Sequence, residues 1–255
     1  MNPQNVQAAA ALLAQARRGG ARVHQFPLEA APRSADDAEI LQRAVRTQLG
    51  ERIGGWKCVL PLPDSVAYAP IHGSTIHASS PVKAWEDGPT ARIEPELACV
   101  LRFDLPARDE PYTPDEVDEA IGSVHMALEL VGNRYDDTID RPFAEMMADG
   151  LNNQGLFLGP RVDVGKDRAR ADIPLTVQAG NEPLREFAGR HPNRHARVGL
   201  YWLAEYLRSR GEGLQAGQAI ITGSYAGVID IPVGVPVRVR YGNLGALDIT
   251  IAPRA

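Results

Sequence analysis

Three glutamates in two apolar stretches constrain the fold of this chain more than any other feature. Glu94 and Glu96 lie two positions apart at the start of the apolar run 93–100, and Glu129 follows 33 residues after Glu96 within the run 124–131. Residues two apart in a strand point to the same face of a sheet. Because isolated carboxylates are costly to bury, a cation that prefers oxygen ligands, Mg²⁺ or Mn²⁺, would offset that cost. The pattern predicts a site for such a cation; the alternative is three carboxylates at a sheet edge that reach solvent.

The composition excludes several classes of protein. With 255 residues, 44% hydrophobic and 23% charged, the chain has the composition of an ordinary soluble globule. Its net charge of −5 argues against a nucleic-acid partner, and no apolar run approaches the length of a membrane span. The first residues lack the basic region of a signal peptide, so we expect a cytoplasmic protein. Cys58 and Cys99 lie in apolar surroundings and are expected to be buried thiols.

Local patterns predict helices first and strands for most of the remainder. Helices are expected over 5–17, 34–49, 113–122 and 199–210, with Ser34 and a capping box at 113–116 as start signals. Strands are expected over 93–103, 123–131, 156–158, 173–179, 219–223, 235–241 and 247–251, while the turn-rich stretch 54–91 indicates short strands and loops. This order predicts an α+β fold with a mixed, largely antiparallel sheet folded on itself. We expect a single domain over 1–255, with a helical segment 1–50 and a β-rich catalytic core 51–255.

Short motifs along most of the chain resemble those of one enzyme family. They are Gly55-Trp56-Lys57, the runs 93–98 and 127–131, Arg134, Ala148-Asp149, and the runs 158–160, 214–217, 221–224 and 241–245. Their order and spacing are similar to those of the hydratase/decarboxylase branch of the fumarylacetoacetate hydrolase superfamily, which includes 2-keto-4-pentenoate hydratases and 4-oxalocrotonate decarboxylases. The resemblance implies a β-sheet roll of the fumarylacetoacetase C-terminal-domain type with N-terminal helices.

The resemblance also implies a metal centre with a lysine beside it. The family's E-x-E and A-L-E motifs hold the metal and correspond here to Glu94, Glu96 and Glu129, which implies Mg²⁺ or Mn²⁺ as the cofactor. The family's lysine near the substrate corresponds to Lys57. Family members form dimers and larger rings, so a homo-oligomer of at least two copies is expected.

Other residues are candidates for contact with a substrate. The family's T-G-S turn beside the substrate corresponds to Thr222, Gly223 and Ser224. Arg134 follows the third glutamate and is a candidate for pairing with a substrate carboxylate. A structural ion pair with Asp136, Asp137 or Asp149 is the alternative for this arginine.

One stretch departs from the family's pattern. Where hydratases of this branch read P-D-F-G, with an aspartate that faces the substrate, this chain reads Ala69-Pro70-Ile71-His72-Gly73. A histidine titrates near neutral pH in ordinary surroundings, so His72 is a candidate proton carrier in place of the missing acid. A histidine in a surface loop is the alternative. The run 58–61 after the lysine also differs, and both changes bear on which reaction is catalysed.

The preferred interpretation is a divalent-metal-dependent lyase that acts on a small 2-oxo acid or its dienol. Hydration of a 2-hydroxy-2,4-dienoate in aromatic-compound catabolism is expected first, with decarboxylation of the 4-oxalocrotonate type or acylpyruvate hydrolysis as alternatives. Lys57, in an apolar setting near a cation, is expected to release its proton easily and to act as acid and base. A catalytically silent homologue that binds a small acid or builds an oligomer is the alternative from another class.

Overall fold

Short helices and longer strands are interspersed in the computed structural model, which describes residues 1–62, 65–86, 88–136, 139–164 and 170–254. Within these residues the α-helices are α1 (Pro3–Arg17), α2 (Ala35–Leu49), α3 (Pro114–Ala120), α4 (Phe143–Ala148) and α5 (Val198–Ser209). The strands are β1 (Ile53–Leu62), β2 (Ser65–His72), β3 (Ile76–His77), β4 (Val82–Ala84), β5 (Thr90–Leu101), β6 (Ile121–Val131), β7 (Asn153–Val162), β8 (Leu175–Ala179), β9 (Arg185–Phe187), β10 (Ala219–Ile221), β11 (Ile229–Pro232), β12 (Val237–Tyr241), β13 (Gly245–Ile249) and β14 (Ile251–Pro253). None of the described helices is long and apolar enough to cross a membrane.

Capping residues set the ends of the helices. α2 begins after Ser34, whose side chain accepts a hydrogen bond from the Asp37 N–H. It ends at Gly50, which has a φ of 68° that residues with a side chain rarely adopt. α3 begins with a reciprocal capping box between Thr113 and Glu116. The four predicted helices are confirmed, with ends shifted by at most a few residues.

A curled, mixed sheet of eight strands forms the centre of the fold. Its strands lie in the order β2-β1-β10-β5-β6-β7-β3, and β11 pairs with the beginning of β5. The pairs β1–β10 and β3–β7 are parallel, and the other pairs in this sheet are antiparallel. A second, antiparallel sheet has the order β13-β12-β8-β9, and β14 pairs with β4. The prediction of an α+β fold with a mixed, largely antiparallel sheet is confirmed.

The inner face of the curled sheet has an apolar floor. Six buried side chains form a cluster of their own there: Ile71, Ala98, Ala127, Leu156, Ala219 and Ile221. Directly paired residues of neighbouring strands share a face. Lys57 pairs with Ala69, two residues from Ile71, and Glu96 pairs with Ala127. The lysine and the glutamates therefore emerge on the inner face, above the apolar cluster.

An aromatic cluster on the opposite, outer face attaches α5 to the β1–β2 pair. The rings of Trp56 and Tyr68 lie 5.9 Å apart between centroids, and Tyr206 of α5 lies 5.1 Å from Tyr68 and 5.0 Å from Trp202. Adjacent residues of a strand point to opposite faces. Burial of Trp56 in the aromatic cluster therefore turns Lys57 toward the inner face.

The stretch 54–91 differs from its prediction as short strands and loops. It contains the ten-residue β1 and the eight-residue β2, which pair in antiparallel fashion. Its prolines suggested breaks, but Pro70 lies in β2 at the edge of the sheet, where a missing N–H removes no ladder hydrogen bond. Local patterns also failed to indicate α4, β9 and β11, each of which is six residues or shorter.

Tyr241 connects the second sheet to the main sheet and offers a test of their packing. It is fully buried, and its hydroxyl donates to the Ala127 carbonyl oxygen at 2.6 Å. Tyr241→Phe removes this hydrogen bond and leaves the carbonyl with one partner fewer, so we expect the free energy of unfolding to fall by about 1–2 kcal/mol. Urea unfolding followed by circular dichroism measures the change. Tyr112→Phe removes a hydroxyl at an exposed position and should change much less; equal losses in both variants would contradict the prediction.

Candidate active site

Glu94, Glu96 and Glu129 converge on the inner face where β5 pairs with β6. Glu94 lies directly opposite Glu129 in this antiparallel pair, and Glu96 follows two residues later on the same face. One carboxylate oxygen of each glutamate lies within 4.8 Å of the others. Glu129 is completely buried, Glu96 is 3% exposed and Glu94 is half-buried. The structure thus brings together the three carboxylates and places them inside the roll, not at an exposed edge.

A break in the strand pairing of β5 makes room for the carboxylates. β10 and β11 pair with β5 on either side of residues 94–97, which have no described strand beside them on that edge. Pro95 lies in this break, where its missing N–H removes no ladder hydrogen bond. The Tyr225 N–H donates to the Pro95 carbonyl oxygen at 2.9 Å. The loop 222–228 between β10 and β11 therefore closes directly over the break.

The turn of Thr222, Gly223 and Ser224 reaches the carboxylates through its backbone. The Gly223 N–H donates to Glu96 Oε2 at 2.7 Å, from a residue with a φ of 138° that favours glycine. Ser224 lines the cleft beside the glutamates. The Thr222 hydroxyl instead donates to the Ala196 carbonyl oxygen. Two of the three predicted turn residues therefore face the cleft, and the third holds the turn in place.

Burial and mutual repulsion oppose the charged forms of these acids. Burial raises the pKa of Glu96 well above its ordinary value, and the charge of Glu129 raises it further, although the hydrogen bond from Gly223 opposes the shift. Burial and then the charge of Glu129 also raise the pKa of Glu94. A group with a raised pKa is destabilised when it is ionised, so a cation bound among the carboxylates would relieve that cost.

Lys57 is the cationic partner that the chain itself supplies. Its Nζ lies 2.6 Å from Glu129 Oε1 and donates to the Leu151 carbonyl oxygen at 3.0 Å. Burial acts to lower the pKa of Lys57, but the nearby carboxylates, Glu129 foremost, outweigh burial and the pKa is raised. The sequence predicted that Lys57 releases its proton easily. In the structure the carboxylates stabilise its ammonium form, so Lys57 holds its proton more tightly than an ordinary lysine.

A strained turn presents the second partner of Lys57. The three consecutive residues 150–152 have positive φ values of 81°, 54° and 63°, which is uncommon for a side chain such as that of Leu151. The turn aims the Leu151 carbonyl at the lysine, and Asn153 Nδ2 donates to Glu129 Oε1 at 3.0 Å. Lys57 is thus held by this turn, and Glu129 is held by the residue that directly follows it.

Arg134 supports the turn and does not line the cleft. It is 1% exposed; its Nε donates to Asp149 Oδ1 at 2.6 Å and its backbone N–H to Oδ2 at 2.9 Å. Its Nη1 donates to the Gly132 carbonyl oxygen at 2.7 Å. The structure therefore has the ion pair with Asp149, and the predicted contact of Arg134 with a substrate has no support in this arrangement. Removing one partner of such a buried pair typically costs about 3–5 kcal/mol.

The oxygen donors fit a hard divalent cation. Glu129 Oε1 accepts hydrogen bonds from Lys57 and Asn153, whereas Glu129 Oε2 is buried and has no hydrogen-bond partner among the described residues. An unsatisfied buried carboxylate oxygen is costly, and a metal ion would satisfy it. Glu94 and Glu96 add further carboxylate oxygens, which are the ligands that Mg²⁺ and Mn²⁺ prefer.

These groups open into a cleft of about 270 Å³. The glutamates, Lys57, Gly223 and Ser224 line it together with apolar groups of Val59, Pro192 and Ile221. Cys58 also borders the cleft, but burial raises the pKa of its thiol far above the ordinary value, so it is no thiolate nucleophile. The volume is suited to a small organic acid.

His72 lies on the other side of the sheet. Ile71 of β2 belongs to the apolar floor of the inner face, so the adjacent His72 points to the outer face. The structure therefore separates His72 from Lys57, and the proposed replacement of the missing aspartate by His72 is not supported. Ile71 is the side chain that stands on the inner face at that point.

A second cavity, of about 180 Å³, contains His72. We call it the arginine cavity; its lining includes Arg17, Arg18, Arg254, His72, Trp85 and Gln154. His72 is 6% exposed there. Burial, and then the charges of Arg17, Arg134 and Arg46, lower the pKa of His72 to about 3. The imidazole is therefore neutral at physiological pH.

His191 is a supporting residue that sequence reasoning missed. It is 1% exposed, and its Nδ1 accepts a hydrogen bond from the Asn193 N–H at 3.2 Å. Its Nε2 is therefore the protonated nitrogen and donates to Thr222 Oγ1 at 3.3 Å. No local pattern marks this histidine, because its contact with the turn at 222–224 arises only when distant segments pack together.

The low pKa of His72 predicts a loss of stability in acid. The folded state keeps this imidazole neutral down to about pH 3, whereas the unfolded chain binds a proton near the ordinary pKa of 6.5. The stability that neutral His72 contributes is present above pH 6.5 and is lost as the pH falls toward 3, by up to about 1.4 kcal/mol per pH unit. We expect His72→Gln to flatten this slope in urea unfolding measured across that range. His24→Gln changes an imidazole that is 68% exposed and is the control; one common slope for all three proteins would refute the assignment.

Sequence comparisons give relatives with related names. No family model matches the chain. A 2-keto-4-pentenoate hydratase of Paraburkholderia xenovorans (strain LB400) is 24% identical over 259 residues, which cover 97% of this chain and 95% of that relative. A 2-oxo-hept-4-ene-1,7-dioate hydratase of Escherichia coli is 31% identical over an alignment that covers 62% of this chain and 60% of that relative.

A solved structure shares the fold over nearly the whole chain. The 4-oxalocrotonate decarboxylase from Pseudomonas putida G7, complexed with magnesium and adipate, matches with a TM-score of 0.79 over 98% of both chains, at 20% sequence identity. The names of the sequence relatives and the shared fold agree with each other and with the order of the motifs in this chain. In sequence the chain is similar to named hydratases, and in fold to a decarboxylase, of the kind found in the hydratase/decarboxylase branch of the fumarylacetoacetate hydrolase superfamily.

Proposed function

We propose that this chain is a divalent-metal-dependent lyase that acts on a small 2-oxo acid or its dienol. The observation that carries the proposal is the set of three clustered carboxylates beside a largely buried lysine, all opening into one small cleft. The relatives are named for hydration and decarboxylation, and both are lyase reactions. Hydration of a 2-hydroxy-2,4-dienoate in aromatic-compound catabolism is the first candidate, because relatives aligned with 97% of the chain are named hydratases.

Glu94, Glu96 and Glu129 would hold the cation, for which Mg²⁺ and Mn²⁺ are the candidates. When bound, such a cation supplies Lewis acidity that stabilises negative charge on the oxygens of a 2-oxo acid. The Gly223 N–H orients Glu96 and the Lys57 ammonium group orients Glu129. Partners of this kind fix the direction of a ligand and tune its affinity for a metal.

Lys57 is positioned to move protons to and from substrate carbon. Its ammonium form can donate a proton, and the amine that remains can take one back. In hydration of a 2-hydroxy-2,4-dienoate, the 2-hydroxyl group loses a proton and C5 gains one, which gives a 2-oxo-3-enoate. Water then adds its oxygen to C4 and a proton to C3. Gly223 and Ser224 form a wall of the same cleft, beside which the substrate carboxylate would lie. The Gly223 N–H is engaged with Glu96 and the Ser224 hydroxyl with the Gly227 carbonyl oxygen, so these residues shape the space next to the metal ligands.

Decarboxylation is the second candidate, and the surface beside Lys57 favours it. Ala69, which pairs with Lys57, and Ile71 are apolar and fully buried, where family hydratases carry an aspartate. Hydration needs groups that protonate carbon and also activate water. In decarboxylation the bond to the carboxylate carbon breaks, carbon dioxide leaves with that carbon, and the electron pair stays on the substrate until one proton is added. Lys57 can supply that proton without a second acid.

A catalytically silent homologue that binds a small acid is the competing proposal from another class. The argument against it is physical. Burial destabilises the charged forms of Glu94 and Glu96, and a protein that binds no metal has no bound cation to offset that cost. Assembly of at least two copies and a cytoplasmic location also stay predictions.

Substitution of Glu96 tests the metal centre. Glu96→Gln keeps the volume but removes a charged oxygen ligand, so we expect Mg²⁺ or Mn²⁺ to bind about 100-fold more weakly, beyond the usual effect of a supporting residue. Titration calorimetry measures the affinity, and circular dichroism checks that the variant is folded. Glu182→Gln, at an exposed position, should bind the metal as the parent does. Unchanged affinity in glutamine variants of all three glutamates would exclude the site.

Substitution of Lys57 tests the chemistry. We expect Lys57→Met to lower turnover by about 10²–10⁴-fold, the usual contribution of one acid–base group, while metal and oxalate binding persist. Loss of ultraviolet absorbance follows consumption of a 2-hydroxy-2,4-dienoate, and released carbon dioxide follows decarboxylation of 4-oxalocrotonate. Lys83→Met changes an exposed lysine and should leave turnover unaltered. Parent-like turnover in Lys57→Met would remove this lysine from the mechanism; no metal-dependent turnover of either substrate by the parent protein would favour the silent homologue.

A further inference from the structure

The arginine cavity is a second site of concentrated charge, opposite in sign to the cleft. Arg17, Arg18 and Arg254 line it, and Glu51 is the one acid among its lining residues. The Glu51 carboxylate already accepts hydrogen bonds from the hydroxyl and the backbone N–H of Ser74. The chain as a whole carries a net charge of −5. The local excess of positive charge is therefore opposite in sign to the net charge of the protein.

Backbone carbonyl oxygens hold all three guanidinium groups in place, and Arg17 also lies 3.5 Å from Asp149 Oδ1, a carboxylate that it shares with Arg134. Arg17 donates to the Asp149 carbonyl oxygen at 2.6 Å and Arg18 to the Gln48 carbonyl oxygen at 2.5 Å. Arg254 donates to the Arg17 carbonyl oxygen at 2.8 Å. A carbonyl oxygen is neutral, and each contact uses one of the five N–H groups of a guanidinium. The charges of Arg18 and Arg254, and most of the donors of both groups, therefore stay available to a ligand, whereas Asp149 offsets part of the charge of Arg17.

Two polar groups that face the cavity could bind an acceptor. Arg17 Nε is buried and has no hydrogen-bond partner among the described residues. The His72 ring, 6% exposed, lines the same space, and the hydrogen bonds found in the described part of the chain reach its backbone oxygen and not its ring. Buried donors without partners are rare because each one costs free energy. An acceptor placed in the cavity would satisfy both.

The position of Arg17 and Arg18 at the end of α1 has a simpler explanation, which is incomplete. Basic residues are favourable beside the carbonyl groups at a helix C-terminus, and this accounts for Arg17, Arg18 and the bond from Arg254. It does not account for a buried neutral imidazole facing the same space, nor for an open volume of about 180 Å³. It also leaves Trp85 unexplained.

Trp85 gives the cavity a planar wall. The Arg254 guanidinium carbon lies 4.4 Å from the centre of the Trp85 ring, a cation–π distance. Gln154 fixes the segment, since its side chain accepts from the Trp85 N–H at 2.7 Å and donates to the Trp85 carbonyl oxygen at 3.2 Å. The cavity has the space of about six water molecules, which suits a small ligand and excludes a nucleotide-sized one.

We propose that the arginine cavity binds a small oxyanion, a phosphate or a carboxylate group of a small molecule, at a site separate from the glutamate cleft. The guanidinium groups of Arg17, Arg18 and Arg254 bind the anionic oxygens. The neutral His72 ring donates one further hydrogen bond. This site stands on the opposite face of β2 from Lys57 and does not depend on the reaction proposed above.

Calorimetric titration with inorganic phosphate and with succinate, at constant ionic strength, tests the proposal on the full chain. The two probes distinguish a phosphate site from a carboxylate site. We expect one saturable site for at least one probe, and binding about tenfold or more weaker in Arg18→Gln and in Arg254→Gln, since each variant loses a charged donor. Both positions are at least partly exposed, so the variants should fold. Arg238→Gln, an exposed arginine paired with Asp248, is the matched control and should bind as the parent does.

The two arginine variants separate the arginine cavity from the glutamate cleft, and Lys57→Met changes a residue of the cleft alone. Binding that survives in Lys57→Met and weakens in the two arginine variants supports the arginine cavity. Binding lost in Lys57→Met but retained in Arg18→Gln and Arg254→Gln would place the anion in the glutamate cleft and overturn the proposal. The absence of saturable binding for both probes, or equal weakening in Arg238→Gln, would also overturn it. Nitrogen chemical shifts of the His72 ring should move on binding, and an unmoved ring in a saturated sample counts against the site.

Discussion

Three acidic groups that repel one another in a buried place are the constraint on which the site depends. Desolvation and repulsion both raise the pKa values of Glu94 and Glu96. The surroundings offset this cost with Lys57, with the Gly223 N–H and with the Asn153 amide. These partners satisfy only part of the negative charge. A cation bound among the carboxylates would therefore lower the free energy of this arrangement.

Much of the fold and the clustering of the three glutamates could be predicted because the signals are local and periodic. The two-residue spacing of Glu94 and Glu96 places them on one face of any strand, and the structure adds Glu129 directly opposite Glu94. Capping residues such as Ser34 mark helix ends in the sequence itself. The family resemblance supplied Lys57, which no local pattern would have singled out from other lysines.

The remainder depends on strand register and on backbone atoms, which a sequence does not display. Whether Ile71 or His72 faces Lys57 is decided by the pairing of β1 with β2, including the irregularity between Ile53 and Gly55. The partner of Lys57 in the turn is a carbonyl group of Leu151, so the identity of that side chain carries no sign of it. Arg134 could equally have faced a ligand or an aspartate, and only tertiary packing chose Asp149.

Alternation along β2 has a consequence for how such a protein can change over generations. Ala69 and Ile71 border the space beside Lys57, whereas Pro70 and His72 face the helices and the cationic side. A mutation at an odd position in this short segment alters one compartment, and a mutation at an even position alters the other. The side chains that line the glutamate cleft and those that line the arginine cavity can therefore change independently, although their codons are neighbours. An insertion or deletion of a single residue within the strand would exchange the two sets of side chains at once, so point substitutions should be tolerated in this segment far better than length changes.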